Sequence, residues 1–325
     1  MPAESIDSLP ASPGAAKSLS RRGKLLLIAS FLITFAVAAA IGLQIKESQE
    51  ASRRLATKLL AQGYAQRMQE RLQSALISTY VLASVVKQSG GRVSNFDTVA
   101  AELITLFPAV SALQLAPDGV IRDIYPIEGN QAAICHDLLA DRSRNREAAA
   151  AITMQQLTLA GPFKLVQGGV GAVGRLPIFL TNERNESHFW GFANALIRLP
   201  NLLDAAGFNG LTKAGYRYEL WRLHPDTEQR QVFASSGEQP LVSPVDYVIT
   251  VYNGRWMLSL APEGGWITAA DQLKTLAYSL LAALLVTFLQ YLGIRAILDD
   301  RGTDANREAA SHAATAASAE HPPAD

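Results

Sequence analysis

The chain has almost no means of cross-linking itself. One cysteine, Cys135, stands among 325 residues, which excludes an internal disulfide framework, and no Cys/His spacing matches a structural zinc site. The five histidines (His136, His188, His224, His312 and His321) are scattered, with no pair at helical i, i+4 spacing. An excess of one charge is missing too, because 29 lysines and arginines balance 29 aspartates and glutamates. Neither net charge nor a basic–aromatic stripe exists to recruit nucleic acid. No metal ion and no cofactor are called for. Proline is absent from Lys46 to Gln88, where Gly63 is the only glycine, so a long helix meets no obstacle there.

What is present begins with two apolar runs, which account for a slightly positive mean hydropathy. Residues Met1 to Ser20 are rich in Pro, Ala and Ser and read as a disordered tail. Arg21, Arg22 and Lys24 then precede an uncharged run, Leu25 to Ile45, which at helical rise spans about 30 Å, the thickness of a bilayer core. The competing reading is a cleaved signal peptide, with Ala38-Ala39-Ala40 as the cleavage site. The length and late start of the run favour an uncleaved anchor. Its basic flank places the N-terminus in the cytoplasm. A second uncharged run, Thr275 to Ile294, is bracketed by Lys274 and Arg295.

These runs predict a cytoplasmic tail over 1–24, a first span over 25–45 and an extracytoplasmic domain over 46–274. A second span over 275–294 and a disordered cytoplasmic tail over 295–325 complete the order. After the first span, Leu72, Leu76, Thr79, Ala83 and Val86 recur at three and four residues. The pattern predicts an amphipathic stalk helix continuous with the span. Its apolar stripe is expected to pair with a second subunit, the alternative being packing on its own domain.

The domain is organised around residues 107–192. Val110 to Ala116 is mostly apolar, Pro117-Asp118-Gly119 supplies a turn, and Val120 to Tyr125 resumes the alternation, which predicts a β-hairpin. A second hairpin is predicted from Phe163–Val166 and Ala172–Phe179 around Gln167-Gly168-Gly169, with a helix over Asn145–Leu157 between the two. Further on, Pro200–Gly207 reads as a short helix closed by glycine. Tyr216–Leu223 and Gln231–Ala234 form a third hairpin around Pro225-Asp226. Tyr247–Tyr252 and Arg255–Leu260 form a fourth around Asn253-Gly254.

Several blocks occur in a distinctive order: Leu113-Gln114-Leu115-Ala116-Pro117-Asp118-Gly119, Tyr125-Pro126 with Glu128-Gly129-Asn130, His136-Asp137-Leu138-Leu139, Gly161-Pro162, Leu165-Val166-Gln167-Gly168-Gly169 and Phe189-Trp190-Gly191-Phe192. In these the chain resembles the CHASE domain, an extracytoplasmic ligand-sensing module of bacterial and plant membrane receptors. Cys135 stands where that family usually has glycine before His-Asp. The resemblance implies an α+β fold, a long N-terminal stalk helix followed by two PAS-like sheet lobes, here flanked by two transmembrane helices. It also implies a sensor in the plasma or inner membrane, working as a homodimer. Relatives usually continue into a kinase or cyclase. This sequence shows no phosphoacceptor histidine box, nucleotide-binding glycine motif or cyclase signature, so a separate kinase or cyclase is expected as partner; the alternative is a truncated, accessory membrane protein.

The expected business of the domain is binding rather than catalysis. Tyr125, Leu165 and Trp190, with Gly191 beside the tryptophan, are candidates for a pocket lining; Arg122, Asp123 and Arg175 are candidates for recognition. Arg175 interrupts a strand otherwise made of Val, Leu, Ile and Phe, where its guanidinium could fork onto a carboxylate or phosphate; a solvated or ion-paired arginine is the bland alternative. Plant relatives read an adenine-type hormone with an acid that falls at Arg122, beside Asp123, and a hydroxyl residue that falls at Arg175. Two arginines there favour an anionic small molecule instead. His136-Asp137 is read as structural, since adjacent residues point in different directions. Cys135 is expected to be a buried, inert thiol.

Overall fold

A single helix, α1 (Arg21–Gln88), carries the first apolar run and the stalk without interruption. The computed structural model describes residues 21–140, 145–225 and 227–319; the expected N-terminal tail up to residue 20 and the chain end from residue 320 lie outside them. The chain divides into two compact units, Met1–Gln49 with Ile267–Asp325, and Glu50–Trp266.

In the first unit, the beginning of α1 packs beside α6 (Ala269–Ala319). Two segments are long and apolar enough to cross a membrane, one within Arg21–Gln88 and one within Ala269–Leu298. Gly42 makes close approach possible: a Cβ there would stand 2.5 Å from Thr275 Cγ2. Leu25, Leu32, Ile41, Leu281 and Phe288 point outward, as lipid-facing side chains do. The Ser279 and Thr287 hydroxyls donate back to the Thr275 and Ala283 carbonyls at 2.8 Å each, so neither presents an unmet donor to hydrocarbon. The helix runs past Ile294 to Ala319, over residues expected to be disordered. Their alanine content gives them high helix propensity.

In the second unit, α2 (Phe96–Leu106) follows the glycine turn that ends α1. Then come β1 (Ala112–Pro117), β2 (Asp123–Tyr125), a 3-10 turn (Gln131–Ala133), α3 (Asn145–Met154), β3 (Thr158–Lys164), β4 (Val170–Thr181) and β5 (Ser187–Arg198). The five strands form an antiparallel sheet in the order β2-β1-β5-β4-β3. Asp118 and Gly119 take φ of 52° and 83° in the first hairpin turn, as the Pro-Asp-Gly motif predicts. Helices α4 (Leu199–Ala205) and α5 (Asn209–Lys213) lead to β6 (Tyr216–Leu223), β7 (Arg230–Ser235), β8 (Val245–Val251) and β9 (Gly254–Pro262). These make a second sheet, β7-β6-β9-β8. Asp226, half of the expected third turn, lies outside the described residues. In the fourth hairpin Val251 pairs with Gly254, so the loop is Tyr252-Asn253 rather than Asn253-Gly254. The side-chain oxygen of Asn253 is engaged elsewhere, accepting from the Leu159 N–H at 2.8 Å.

Both sheets lay one face on a shared core. Leu72, Leu76, Ala83 and Val86 of α1 join Leu113, Leu115, Leu176, Ile178 and Ile197 of the first sheet and Leu220, Trp256, Leu258 and Leu260 of the second. Gly174 supplies the notch for the helix, since a Cβ there would stand 2.0 Å from Leu76 Cδ2. This corrects the expectation that the apolar stripe of α1 pairs with a second subunit. The stripe is buried in its own domain, against both sheets. The other face of the first sheet carries a separate core of Ala112, Ile124, Leu138, Val173, Phe192 and Leu196, closed over by Ala148 and Ala151 of α3.

Candidate ligand pocket

Four polar side chains lie side by side on that second face. The registers pair Thr158 with Arg175, Arg175 with Asn194 and Asn194 with Gln114, so one residue from each of β3, β4, β5 and β1 falls in a single row. Their exposures are 1%, 2%, 0% and 3% in that order. The next row to one side is Ala160, Val173, Leu196 and Ala112, and to the other Pro177, Phe192 and Ala116. Burying polar groups among apolar neighbours is costly unless they find partners. Thr158 Oγ1 donates to the Glu147 carbonyl at 2.9 Å, and Asn194 Nδ2 donates to Gln114 Oε1 at 3.4 Å. Asn194 Oδ1 accepts from none of the described residues.

A pocket opens over Gln114 and Arg175 of this row, with Asn194 buried between them. Gln114 and Arg175 line it together with Ile121, Phe163, Leu165 and His136, around an enclosed cavity of about 30 Å³ that widens at its mouth into open solvent. Its mostly apolar lining with a few converging polar groups has the composition of a small-molecule site.

The pocket wall is held by polar contacts from motif residues. Gly168 and Gly169, at φ 87° and 77°, turn the β3–β4 hairpin. The Gln167 amide donates to Asn130 Oδ1 at 3.3 Å, Asn130 Nδ2 to the Pro126 carbonyl at 2.9 Å, and Arg198 to the Gly168 carbonyl at 2.9 Å. Asn130 and Gln167 thus tie the hairpin tip to the loop after β2. On the other wall, Asp137 Oδ1 accepts from the N–H groups of Leu139 and Ala140 at 2.9 and 3.0 Å. These two donors lower its pKa below the ordinary aspartate value. Asp137 therefore shapes a loop, while its neighbour His136 faces the pocket. The expectation of a buried thiol at Cys135 is corrected: the side chain is exposed. Its φ of 62° accounts for the family's glycine at this place, since glycine takes that conformation without strain.

Of the residues singled out from sequence, Leu165 and Arg175 meet in the pocket. Asp123 and Tyr125 pair with Leu115 and Leu113, whose side chains belong to the α1 side of the sheet, and Tyr125 packs into that core. Trp190 packs there as well, close enough to Gly91 that a Cβ on the glycine would stand 2.5 Å from Nε1. Arg122 is exposed. The Asp123 carboxyl has its pKa raised by partial burial and by the nearby Asp97. Gly191, at φ 152°, lets β5 lie against β1, where a Cβ would stand 2.2 Å from the Ala116 carbonyl oxygen. Period-two alternation separates these groups: Gln114 and Asn194 point to one side, Tyr125 and Trp190 to the other. Gln114 and Asn194 were not singled out from sequence. The usable signal was a second polar residue, in Asn194-Ala195-Leu196-Ile197, on a strand as apolar as that of Arg175.

The CHASE domain family matches the chain over residues 48–233. No curated protein matches it. Among solved structures it is similar to an extracellular ligand-binding receptor from Desulfohalobium retbaense, at 14% identity and TM-score 0.49, covering 62% of this chain and 39% of that one. The chain therefore spans well under half the length of that receptor. It is also similar to the extracellular domain of the putative histidine kinase rpHK1S-Z16, at 13% identity and TM-score 0.43, covering 66% and 95%. A third similarity is to the sensory domain of the Campylobacter jejuni chemoreceptor Tlp3, at 12% identity and TM-score 0.45, covering 67% and 96%.

Proposed function

Because the chain belongs to the CHASE domain family of extracytoplasmic ligand-sensing receptor domains, we propose that it is a membrane-anchored receptor that takes a small anionic molecule into the pocket over the polar row. The observation that carries this reading is Arg175, a guanidinium buried to 2% exposure in the middle of an apolar sheet and lining the pocket. A buried arginine is expensive, and a planar fork of donors suits a carboxylate or phosphate. The two apolar segments and the basic residues before the first support a two-span topology in the plasma or inner membrane, sensor outside. Both spans would report a differential fit of the ligand between two arrangements of the domain. Output would pass to a separate kinase or cyclase. A homodimer would use residues other than the buried stripe of α1. The pocket reads as a binding site rather than an enzyme's, because Asp137 is committed to a turn and only His136 of that pair faces the cavity.

Thermal melting of the full chain in detergent micelles, against organic anions, amino acids and adenine derivatives, tests the reading. A ligand at a hundred times its dissociation constant adds about 2.7 kcal/mol of stability. An anion that raises the melting temperature of the natural chain but not of Arg175→Met supports the proposal. A shift by adenine derivatives alone, unaffected by Arg175→Met, would refute it.

A further inference from the structure

Resting on the reading above, we propose that Asn194 makes the pocket selective for a carboxylate whose neighbouring carbon carries a hydrogen-bond donor, a hydroxyl or an ammonium, over a plain carboxylate of the same size. Asn194 is fully buried and stands in register between Gln114 and Arg175, both of which line the pocket. Its Oδ1 accepts no hydrogen bond from any described residue. A carboxamide oxygen offers two acceptor sites, and leaving it unmet in a dry interior costs free energy that a bound donor recovers.

The direction of the amide is set from one side. Nδ2 donates to Gln114 Oε1, which turns Oδ1 away from Gln114 and toward the strand of Arg175. Adjacent strands stand about 4.8 Å apart, so the charge read by Arg175 and the donor read by Asn194 must sit on neighbouring atoms of one ligand. A 2-hydroxy or 2-amino carboxylate has that spacing. Ile121, Phe163 and Leu165 give the mouth of the pocket an apolar lining against which a short tail would pack. A plain carboxylate brings only acceptors to this corner, and a site built to bond a hydroxyl discriminates strongly against the analogue that lacks it.

The test uses the full chain in detergent and titration calorimetry with lactate, alanine and propionate, three probes of nearly equal size. Lactate or alanine is expected to bind about tenfold tighter than propionate, the worth of roughly one well-made hydrogen bond. Asn194→Leu should erase that preference, read as the ratio of lactate to propionate affinity falling to about one. Should that variant fail to fold, Gln114→Leu serves, because it frees the amide to turn and should narrow the preference. Equal binding of all three probes by the natural chain overturns the inference and leaves the anion-binding reading standing. A preference that survives Asn194→Leu overturns the role of Asn194. Failure of all three probes to bind overturns the inference and counts against the reading beneath it.

Discussion

The two sheets of the sensor domain begin alike and diverge on their second faces. Each lays one face against the core built on α1. The first sheet is then covered again, by α3 and the loops around residues 121–138, and the polar row Thr158, Arg175, Asn194 and Gln114 is sealed beneath. On the second sheet the equivalent face is only partly covered, and Glu219 and Ser259 on it are buried. Val232, Trp221, Met257 and Val248 form one row across its four strands, and Val232 and Val248 remain exposed. Its polar groups satisfy one another: Arg230 pairs with Glu219 at 2.7 Å, Trp221 Nε1 donates to Ser259 Oγ at 2.8 Å, and Ser259 donates to Asp246 at 2.5 Å. The same residue types thus have different consequences. On the second sheet the buried Glu219 and Ser259 find polar partners beside them, which offsets the cost of burying them. On the first, the Asn194 oxygen is left unmet among the described residues, a demand that a bound donor can meet.

That contrast ranks the expected effects of substitution. Gly191→Ala should do most, because the new Cβ meets the β1 backbone, not a side chain able to move. A loss of about 3 kcal/mol or more is expected, read as a lower denaturation midpoint. Asn253→Ala comes next. It strips the acceptor from the buried Leu159 N–H, which should cost about 1–3 kcal/mol in the same measurement. Glu219→Gln should cost under about 1 kcal/mol, because Glu219 is buried but its partner Arg230 is half exposed and keeps its water. A loss as large as that of Asn253→Ala would break the comparison.

The smallest effect is one of sign. Asp123 has a raised pKa in the folded state, so the fold binds its proton more tightly than the unfolded chain does. Its contribution is most favourable below the ordinary aspartate pKa and is lost as pH rises through the raised value. Asp123→Asn should therefore melt higher than the natural chain at neutral pH, with the gap closing in acid.

Much of the architecture was legible in the residues. The turn at Pro117-Asp118-Gly119 and the three- and four-residue recurrence of Leu72, Leu76, Thr79, Ala83 and Val86 follow from local geometry. What covers that stripe did not follow, because a helix face records that it is buried and not by what. The notch at Gly174 that receives Leu76 lies about a hundred residues away along the chain. Arg175 stood out because a charge interrupted an apolar strand. Its neighbours Asn194 and Gln114 became visible only through the register of β4, β5 and β1, which no local pattern encodes. Tyr125 and Trp190 look like pocket residues by type alone, and the pleat turns them to the opposite side.

The contacts of β3 bear on how the domain meets other molecules. β3 is the last strand of its sheet, and a free strand edge is a template for another chain. Here the outward Leu159 N–H is taken by Asn253 and the Gly161 carbonyl accepts from Arg222, both from the second lobe. The opposite edge, β2, is three residues long. The first lobe is thereby guarded at one edge and foreshortened at the other, which disfavours strand-by-strand aggregation. Contacts between copies would then fall to helices and sheet faces.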